Sequence, residues 1–138
     1  MKRGALIVTI VPLLGITYLV YTFARLPWTA MRIVGLTLMT PALLLLTIAR
    51  IQLGNSFSIA PQATKLVTHG IYSRIRNPVY VFGTFVFTGL FLFLDRPLLL
   101  LFLLPVLILQ IVRARAEARI LEQHFGEQYR QYRSTTWF

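Results

Sequence analysis

Long apolar runs alternate with short basic clusters along this chain. The apolar runs cover residues 5–24, 33–49, 79–94 and 98–112. A helix rises about 1.5 Å per residue, so about 20 apolar residues cross a hydrocarbon core of about 30 Å. We expect the first run to be a retained span and not a cleaved signal peptide. The pattern predicts an all-α fold, a polytopic transmembrane helical bundle of about four membrane helices in a single domain, 1–138.

Two polar segments complete this arrangement. Residues 50–78 form a long loop, and long loops in compact domains are usually functional or disordered. Residues 113–132 mix charged and apolar positions and predict an amphipathic C-terminal helix that leaves the fourth span and turns near Gly126.

The start of the third predicted helix carries candidate chemistry. Asn77 before Pro78 predicts a helix start, because Asn caps helices and Pro fits the first turn. The amides of that first turn then carry partial positive charge and suit an anionic group such as a carboxylate. By the same reasoning, Asp95 is predicted to cap the fourth helix, with Pro97 in its first turn.

Basic residues predict the orientation of the spans. In the four-span arrangement, Arg25, Arg32 and Arg96 lie on one side of the membrane. The larger group lies on the other side: Lys2, Arg3, Arg50, Lys65, Arg74, Arg76, Arg113, Arg115, Arg119, Arg130 and Arg133. Because positive charge concentrates on the cytosolic side, we expect a multi-pass protein with both termini cytosolic. The polar loop and the C-terminal helix then share the cytosolic face.

Composition narrows the classes of function. Hydrophobic residues make up 57% of the chain and charged residues 13%, which favours a lipid environment over a solvated surface. The net charge of +10 is explained by basic residues that flank membrane helices, so we expect no nucleic-acid partner. There is no cysteine, and His69 and His124 lie far apart, so we expect no metal. The four runs contain no Asp, Glu, His, Lys or Arg, which argues against a proton-coupled exporter.

The C-terminal helix offers a second candidate. Arg113 and Glu117 are four residues apart and share one helical face just beyond the membrane. Such a pair is often a solvated salt bridge. Tyrosines near a membrane surface, such as Tyr72 and Tyr80, are often interface anchors. A non-enzymatic membrane module or small transporter therefore stays open, in which anionic head groups are held by Arg113, Arg115 and Arg119.

Three motifs follow one another at compatible spacing. They are Leu66 to Tyr72 with Gly70, then Arg76-Asn77-Pro78-Val79-Tyr80, then Arg113-x-x-x-Glu117 followed by Phe125-Gly126-Glu127 and Tyr129-x-x-Tyr132. Together they resemble the isoprenylcysteine carboxyl methyltransferase family of integral membrane enzymes, over residues 53–133. Phospholipid methyltransferases share part of the pattern.

The resemblance implies methyl transfer from S-adenosylmethionine, with S-adenosylhomocysteine as product, in a cytosolic pocket formed by the loop and the C-terminal helix. A lipophilic acceptor would enter this pocket from the bilayer. Arg113 and Glu117 are the implied catalytic residues, with Arg113 facing the substrate. The implied cofactor contacts are Thr64, Lys65, Leu66, Val67, Tyr72, Asn77, Pro78, Val79, Tyr80 and Glu117. A carboxylate at Glu117 suits the cofactor's amine, and tyrosine faces suit its adenine or sulfonium.

Departures from the family pattern bear on the acceptor. Asn77 stands where many members have His, and Ala118 replaces the second glutamate of a common Glu-Glu pair. Gly83 comes one residue later than the glycine that is usual in the family. The last residues of the sequence, 134–138, also lack the Pro-containing tail that is usual in the family. A carboxylate acceptor needs no general base, and Arg113 would repel a protonated amine, so we expect a carboxylate-bearing acceptor. Phospholipid or amine N-methylation stays open as the alternative, as does the oligomeric state.

Overall fold

The computed structural model describes residues 3–54 and 66–138, and most of that length is helical. Short 3-10 helices at Gly70–Ser73 and Pro97–Phe102 lie before the third and fourth α-helices. Within the described ranges there is no β-strand, which confirms the all-α class. The α-helices are α1 (Arg3–Phe23), α2 (Ala30–Leu53), α3 (Pro78–Phe93), α4 (Leu103–Phe125) and α5 (Glu127–Thr135).

Two helical segments are long and apolar enough to cross a membrane, Ala30–Leu53 and Pro97–Phe125. Ile10–Thr22 and Pro78–Phe93 are also apolar but shorter. The predicted second and fourth spans lie inside the two long segments. Crossings by the first and third spans stay predictions.

The pair formed by α2 and α3 is the packed centre of the fold. Gly35, near the start of α2, lies against Gly89 and Phe93, near the end of α3, so the two helices run antiparallel. A Cβ added to Gly89 would lie 2.6 Å from the carbonyl oxygen of Gly35, which shows how closely the backbones approach. Both helices supply the buried side chains beside this contact, which are Met39, Ala42, Val86 and Leu90.

The fourth span and the start of the predicted C-terminal helix are one continuous element. The 3-10 helix Pro97–Phe102 runs directly into α4, which continues to Phe125. The predicted turn near Gly126 is present, and it divides the segment 113–132 between α4 and α5. The division falls at Gly126, whose φ of 52° suits glycine and whose amide donates to the Glu122 carbonyl at 2.9 Å.

Asp95 does not cap the fourth helix, contrary to the sequence prediction. Its φ is 61°, a left-handed conformation that Asp tolerates better than most residues, and its amide donates to the Leu92 carbonyl at 2.9 Å. Arg96 takes the N-cap position without a side-chain hydrogen bond, and Pro97 lies in the first turn as predicted. Asp95 and Arg96 therefore form a tight turn between α3 and the Pro97–Phe102 helix.

The first half of α4 exposes apolar side chains around its circumference. Residues 104–109 are six consecutive positions and all are exposed. More than half of the surface is exposed for Leu104, Ile108, Leu109 and Val112. An apolar helix left uncovered in this way suits a hydrocarbon environment better than water.

Candidate functional site

The loop before α3 is fixed against the last turns of α2. Gly70 adopts a φ of 61°, and a Cβ there would collide with the Gln52 side chain. Oε1 of Gln52 accepts a hydrogen bond from the Ile71 amide at 2.9 Å. Tyr72 then packs in a buried cluster with Ala49. The local sequence thus holds the Tyr72 ring beside the end of α2.

A hydrogen bond between Tyr80 and Glu117 joins α3 to α4. The Tyr80 hydroxyl donates to Oε1 of Glu117 at 2.6 Å. Arg113 lies one turn before Glu117 on α4, and its charge acts on the Tyr80 hydroxyl. The helix start after the loop and the helix leaving the fourth span therefore meet, as the resemblance requires.

A second polar pair lies further along the same two helices. The Thr84 hydroxyl lies 3.0 Å from Oε1 of Gln110. Thr84 is one turn beyond Tyr80, and Gln110 is two turns before Glu117, so both pairs occupy the facing sides of α3 and α4. A strip of polar groups therefore extends from the Tyr80–Glu117 pair into the predicted spans.

Tyr72 is the buried phenol of the site. Its side chain is 5% exposed, and its hydroxyl has no hydrogen-bond partner among residues 3–54 and 66–138. Burial raises the pKa of Tyr72 well above its ordinary value; Tyr132, Glu117 and Tyr80 add to the rise, and Arg50 opposes it. The phenol is therefore neutral at physiological pH. Since a buried hydroxyl without a partner is costly, this position fits a polar ligand group that completes the bond.

The turn at Gly126 brings α5 back to the loop. The Tyr132 hydroxyl donates to the carbonyl oxygen of Tyr72 at 2.7 Å. Tyr129 is 3% exposed, and its ring centre lies 6.3 Å from that of Tyr132. Burial and the neighbouring Tyr129 raise the pKa of Tyr132 to about 12, against the opposing charge of Arg76. Residues of α5 thus hold the backbone that carries Tyr72.

Backbone donors at the start of α3 already have partners. Asn77 stands at the N-cap and Pro78 in the first turn, as predicted, but the Asn77 side chain makes no capping bond. The amides of Arg76 and Asn77 donate to a Phe138 oxygen at 3.0 and 3.1 Å, and the Tyr80 amide donates to the Asn77 carbonyl at 3.1 Å. The amides of Arg76, Asn77 and Tyr80 are therefore engaged in this arrangement. The charges of Arg50 and Arg113, which act on Tyr72 and Tyr80, add positive potential at the site.

The other predicted site positions differ in how much of the side chain they offer. Val67 is 7% exposed and Pro78 is fully buried, so neither residue offers much surface to a ligand. Leu66 and Val79 are partly buried. Thr64 and Lys65 lie outside the described residues. Four predicted residues converge through direct or electrostatic contacts: Tyr72, Tyr80, Arg113 and Glu117.

Sequence reasoning missed three members of this cluster. Arg50 was counted only as a cytosolic charge, yet its charge acts on the Tyr72 hydroxyl. Thr84 and Gln110 were taken as ordinary span residues. The spacing of Gln110, three residues before Arg113 and seven before Glu117, places all three on one helical face and could have identified it.

Comparison with known families assigns the chain to the membrane methyltransferases. The model of the phospholipid methyltransferase family matches residues 28–128, which run from the connection before α2 into α5. The chain belongs to the phospholipid methyltransferase family. This match confirms the resemblance at the level of the enzyme class and includes Tyr72, Tyr80, Arg113 and Glu117. No curated protein matches the chain.

Proposed function

We propose that this membrane methyltransferase transfers a methyl group from S-adenosylmethionine to a lipophilic acceptor where α3 and α4 meet. The observation that carries the proposal is the Tyr80–Glu117 hydrogen bond, which links the two helices inside the family match. The cofactor, when bound, supplies an electrophilic methyl group on a sulfonium and leaves as S-adenosylhomocysteine.

The residues present fit this cofactor. Glu117 offers a carboxylate to the cofactor's amine, and Tyr80 holds that carboxylate in place. Tyr72 offers a neutral hydroxyl that has no partner within the described residues. Arg50, close to that hydroxyl, supplies positive charge for the cofactor's own carboxylate. The electron-rich tyrosine faces suit the sulfonium.

The charges of the site favour an acidic acceptor. A carboxylate oxygen attacks the methyl carbon while the carbon–sulfur bond breaks, and no proton has to be removed. Arg113 would orient such a carboxylate through its planar guanidinium. The Thr84–Gln110 pair lies beside the Tyr80–Glu117 pair inside the predicted spans, where it could hydrogen-bond to an acceptor that enters from the bilayer.

Phospholipid N-methylation is the second candidate, and the family match favours it. An amine acceptor must be deprotonated before it attacks, and the charge of Arg113 opposes the binding of its ammonium form. The two candidates therefore differ in the charge of the acceptor, which an experiment can vary.

Methyl transfer from labelled cofactor tests the proposal and separates the candidates. The full chain is reconstituted in vesicles that contain a prenylated cysteine derivative and phosphatidylethanolamine. We expect label in the acid as a methyl ester, which mild base releases as methanol. Base-stable label in the phospholipid would establish the second candidate instead. The absence of label in any lipid would overturn the proposed activity.

Two matched glutamate variants test the role of the site. Glu117→Gln should lower the rate about 30-fold, because a hydrogen bond to a charged group contributes about 2 kcal/mol. Glu122→Gln lies on the same helix, where its carboxylate forms an exposed ion pair with Arg130 at 3.7 Å. It should keep the rate of the unmodified protein. Equal losses in both variants would contradict a specific role for Glu117.

A further inference from the structure

A second polar cluster lies at the opposite end of the α2–α3 pair. A cavity of about 540 Å³ is lined there by Leu26, Arg32, Leu94, Asp95 and Arg96. Arg32 belongs to the first turn of α2, and the other charged residues belong to the turn that follows α3. The volume falls within the range of about 300–1,000 Å³ that is typical of ligand pockets.

Arg32 is a buried cation with an incomplete set of partners. Its residue is 8% exposed, and Nη1 donates to the Pro27 carbonyl at 2.8 Å. Its Nε has no hydrogen-bond partner among the described residues. Within the same part of the chain, no ion pair joins Asp95 to Arg32 or to Arg96. A buried guanidinium without a counter-ion is costly, so an anionic ligand group would stabilise it.

The charges and apolar groups around the cavity define the chemistry of the ligand. Two guanidinium groups, Arg32 and Arg96, suit a phosphate, which accepts paired hydrogen bonds from arginine. Asp95 adds one carboxylate, which attracts an ammonium group. Leu26 and Leu94 supply apolar surface beside these charges. This combination matches the phosphate and amine of a zwitterionic phospholipid head group together with its adjoining glycerol and acyl carbons.

An exposed tryptophan at this end of the fold suits the level of lipid head groups. Trp28 is 52% exposed, and its ring packs edge-to-face on Phe93 with centres 6.2 Å apart. Partly exposed tryptophan is enriched where a membrane protein meets the interface. Since a free anion in water needs no such interface, this position favours a lipid head group over soluble phosphate.

Distance separates this cavity from the proposed methyl-transfer site. Arg32 and Arg50 stand near opposite ends of α2, about 27 Å apart at about 1.5 Å of rise per residue. A head group at Arg32 is therefore too far from Glu117 to accept a methyl group. It would lie in the opposite leaflet of the four-span arrangement.

We propose that the cavity lined by Arg32, Asp95 and Arg96 binds the phosphoethanolamine head group of a phospholipid as a non-catalytic lipid site. The phosphate lies between the two guanidinium groups, and the ammonium faces Asp95. The bound lipid connects the start of α2 to the turn after α3 and completes the surroundings of the buried Arg32 cation.

Binding of a short-chain lipid to the detergent-purified full chain tests this site. The probe is dihexanoyl phosphatidylethanolamine, measured by native mass spectrometry and calorimetry. We expect saturable binding of one lipid per chain. Inorganic phosphate should not displace it at equal concentration, and displacement would identify a site for free phosphate and overturn the lipid assignment. Binding that does not saturate would also overturn it.

Variants at the exposed cavity residues keep the test independent of folding at the buried Arg32. Arg96→Gln should weaken binding about fivefold, the factor for a partly exposed charge pair. Asp95→Asn keeps a residue that tolerates positive φ and should weaken phosphatidylethanolamine while leaving phosphatidylglycerol unchanged. An unchanged affinity for phosphatidylethanolamine in either variant would overturn the proposed head-group orientation.

Two further variants serve as controls. Arg25→Gln removes an exposed cation of the α1–α2 connection, and its side chain stacks on Tyr21 instead of lining the cavity. Binding should be unchanged in this variant, and a loss equal to that of Arg96→Gln would overturn a specific site. Glu117→Gln should also bind the lipid normally, which separates this inference from the proposed methyl transfer.

Discussion

At the scale of single residues, the site depends on how one carboxylate is held between phenols and cations. Tyr80 donates to Glu117 at 2.6 Å, and Arg113 acts on the same phenol from one turn earlier on α4. Tyr72 lies within electrostatic reach of Glu117 and keeps its own hydroxyl neutral through burial. The carboxylate therefore has a fixed orientation, while a neutral hydroxyl donor stands close to it.

Tyr80→Phe tests the hydrogen bond that fixes Glu117. We expect the affinity for S-adenosylhomocysteine to fall about tenfold, because a hydrogen bond to a charged acceptor contributes about 1.5 kcal/mol. Calorimetry on the purified protein measures this affinity. Tyr18→Phe, on an exposed position of α1, is the matched control and should bind normally. An unchanged affinity in Tyr80→Phe would exclude this bond from cofactor binding.

The raised pKa of Tyr132 predicts a loss of stability at high pH. Its ordinary pKa of 10.0 rises to about 12 in the folded chain. Between these values the unfolded chain releases the phenolic proton and the folded chain keeps it, so the free energy of unfolding falls as pH rises. Below pH 10 the Tyr132 phenol adds no pH dependence to the free energy of unfolding.

Thermal unfolding across this pH range provides the measurement. We expect the midpoint to fall above pH 10 in the unmodified protein and to fall less steeply in Tyr132→Phe. Tyr18→Phe should follow the unmodified protein. Parallel curves for Tyr132→Phe and the unmodified protein would contradict the assignment.

At the scale of helices, periodicity predicted the elements better than their junctions. Apolar run length identified the four helices, and the Asn77-Pro78 pair identified the start of α3. The Asp95 cap was wrong, because the tight turn at Asp95 depends on tertiary placement more than on local preference. The predicted turn near Gly126 is present. The Gly35–Gly89 contact could not be predicted from the sequence either, since a lone glycine in an apolar run does not indicate which helix packs against it.

Two alanine variants in α3 test that close contact. Gly89→Ala forces a Cβ against the backbone of α2 and should destabilise the fold by about 2 kcal/mol, a typical cost of overpacking. Gly83→Ala meets no atom within 4 Å and should raise stability by up to about 1 kcal/mol through helix propensity. Thermal unfolding in detergent measures both, and equal stability of the two variants would contradict the proposed packing.

At the scale of the whole molecule, residues distant in sequence meet at one end of the helices. Tyr72, Tyr80 and Glu117 come from the loop, α3 and α4, and Tyr132 of α5 holds the loop backbone. The sequence predicted this convergence through motif order, because the motifs resemble those of a known family. It could not identify Arg50, since the antiparallel pairing that brings the end of α2 to the start of α3 is not encoded in a motif.

The absence of cysteine makes the predicted topology directly measurable. Single cysteines replace the exposed residues Arg25, Ser73 and Gln123, and a membrane-impermeant maleimide is added to oriented vesicles. Ser73→Cys and Gln123→Cys should react from the same side, and Arg25→Cys from the other. Labelling of Ser73→Cys and Gln123→Cys from opposite sides would rule out a shared site.

The most direct test of the central claim is calorimetric binding of S-adenosylhomocysteine to the detergent-purified full chain. We expect a saturable heat with a Kd of about 10 μM, within the range of about 1 μM to 1 mM in which KM values of enzymes fall. Binding should persist unchanged in Glu122→Gln and weaken about 30-fold in Glu117→Gln, because a hydrogen bond to a charged group contributes about 2 kcal/mol. Equal binding by Glu117→Gln and the unmodified protein, or no binding by any of the three, would contradict a cofactor site at Glu117.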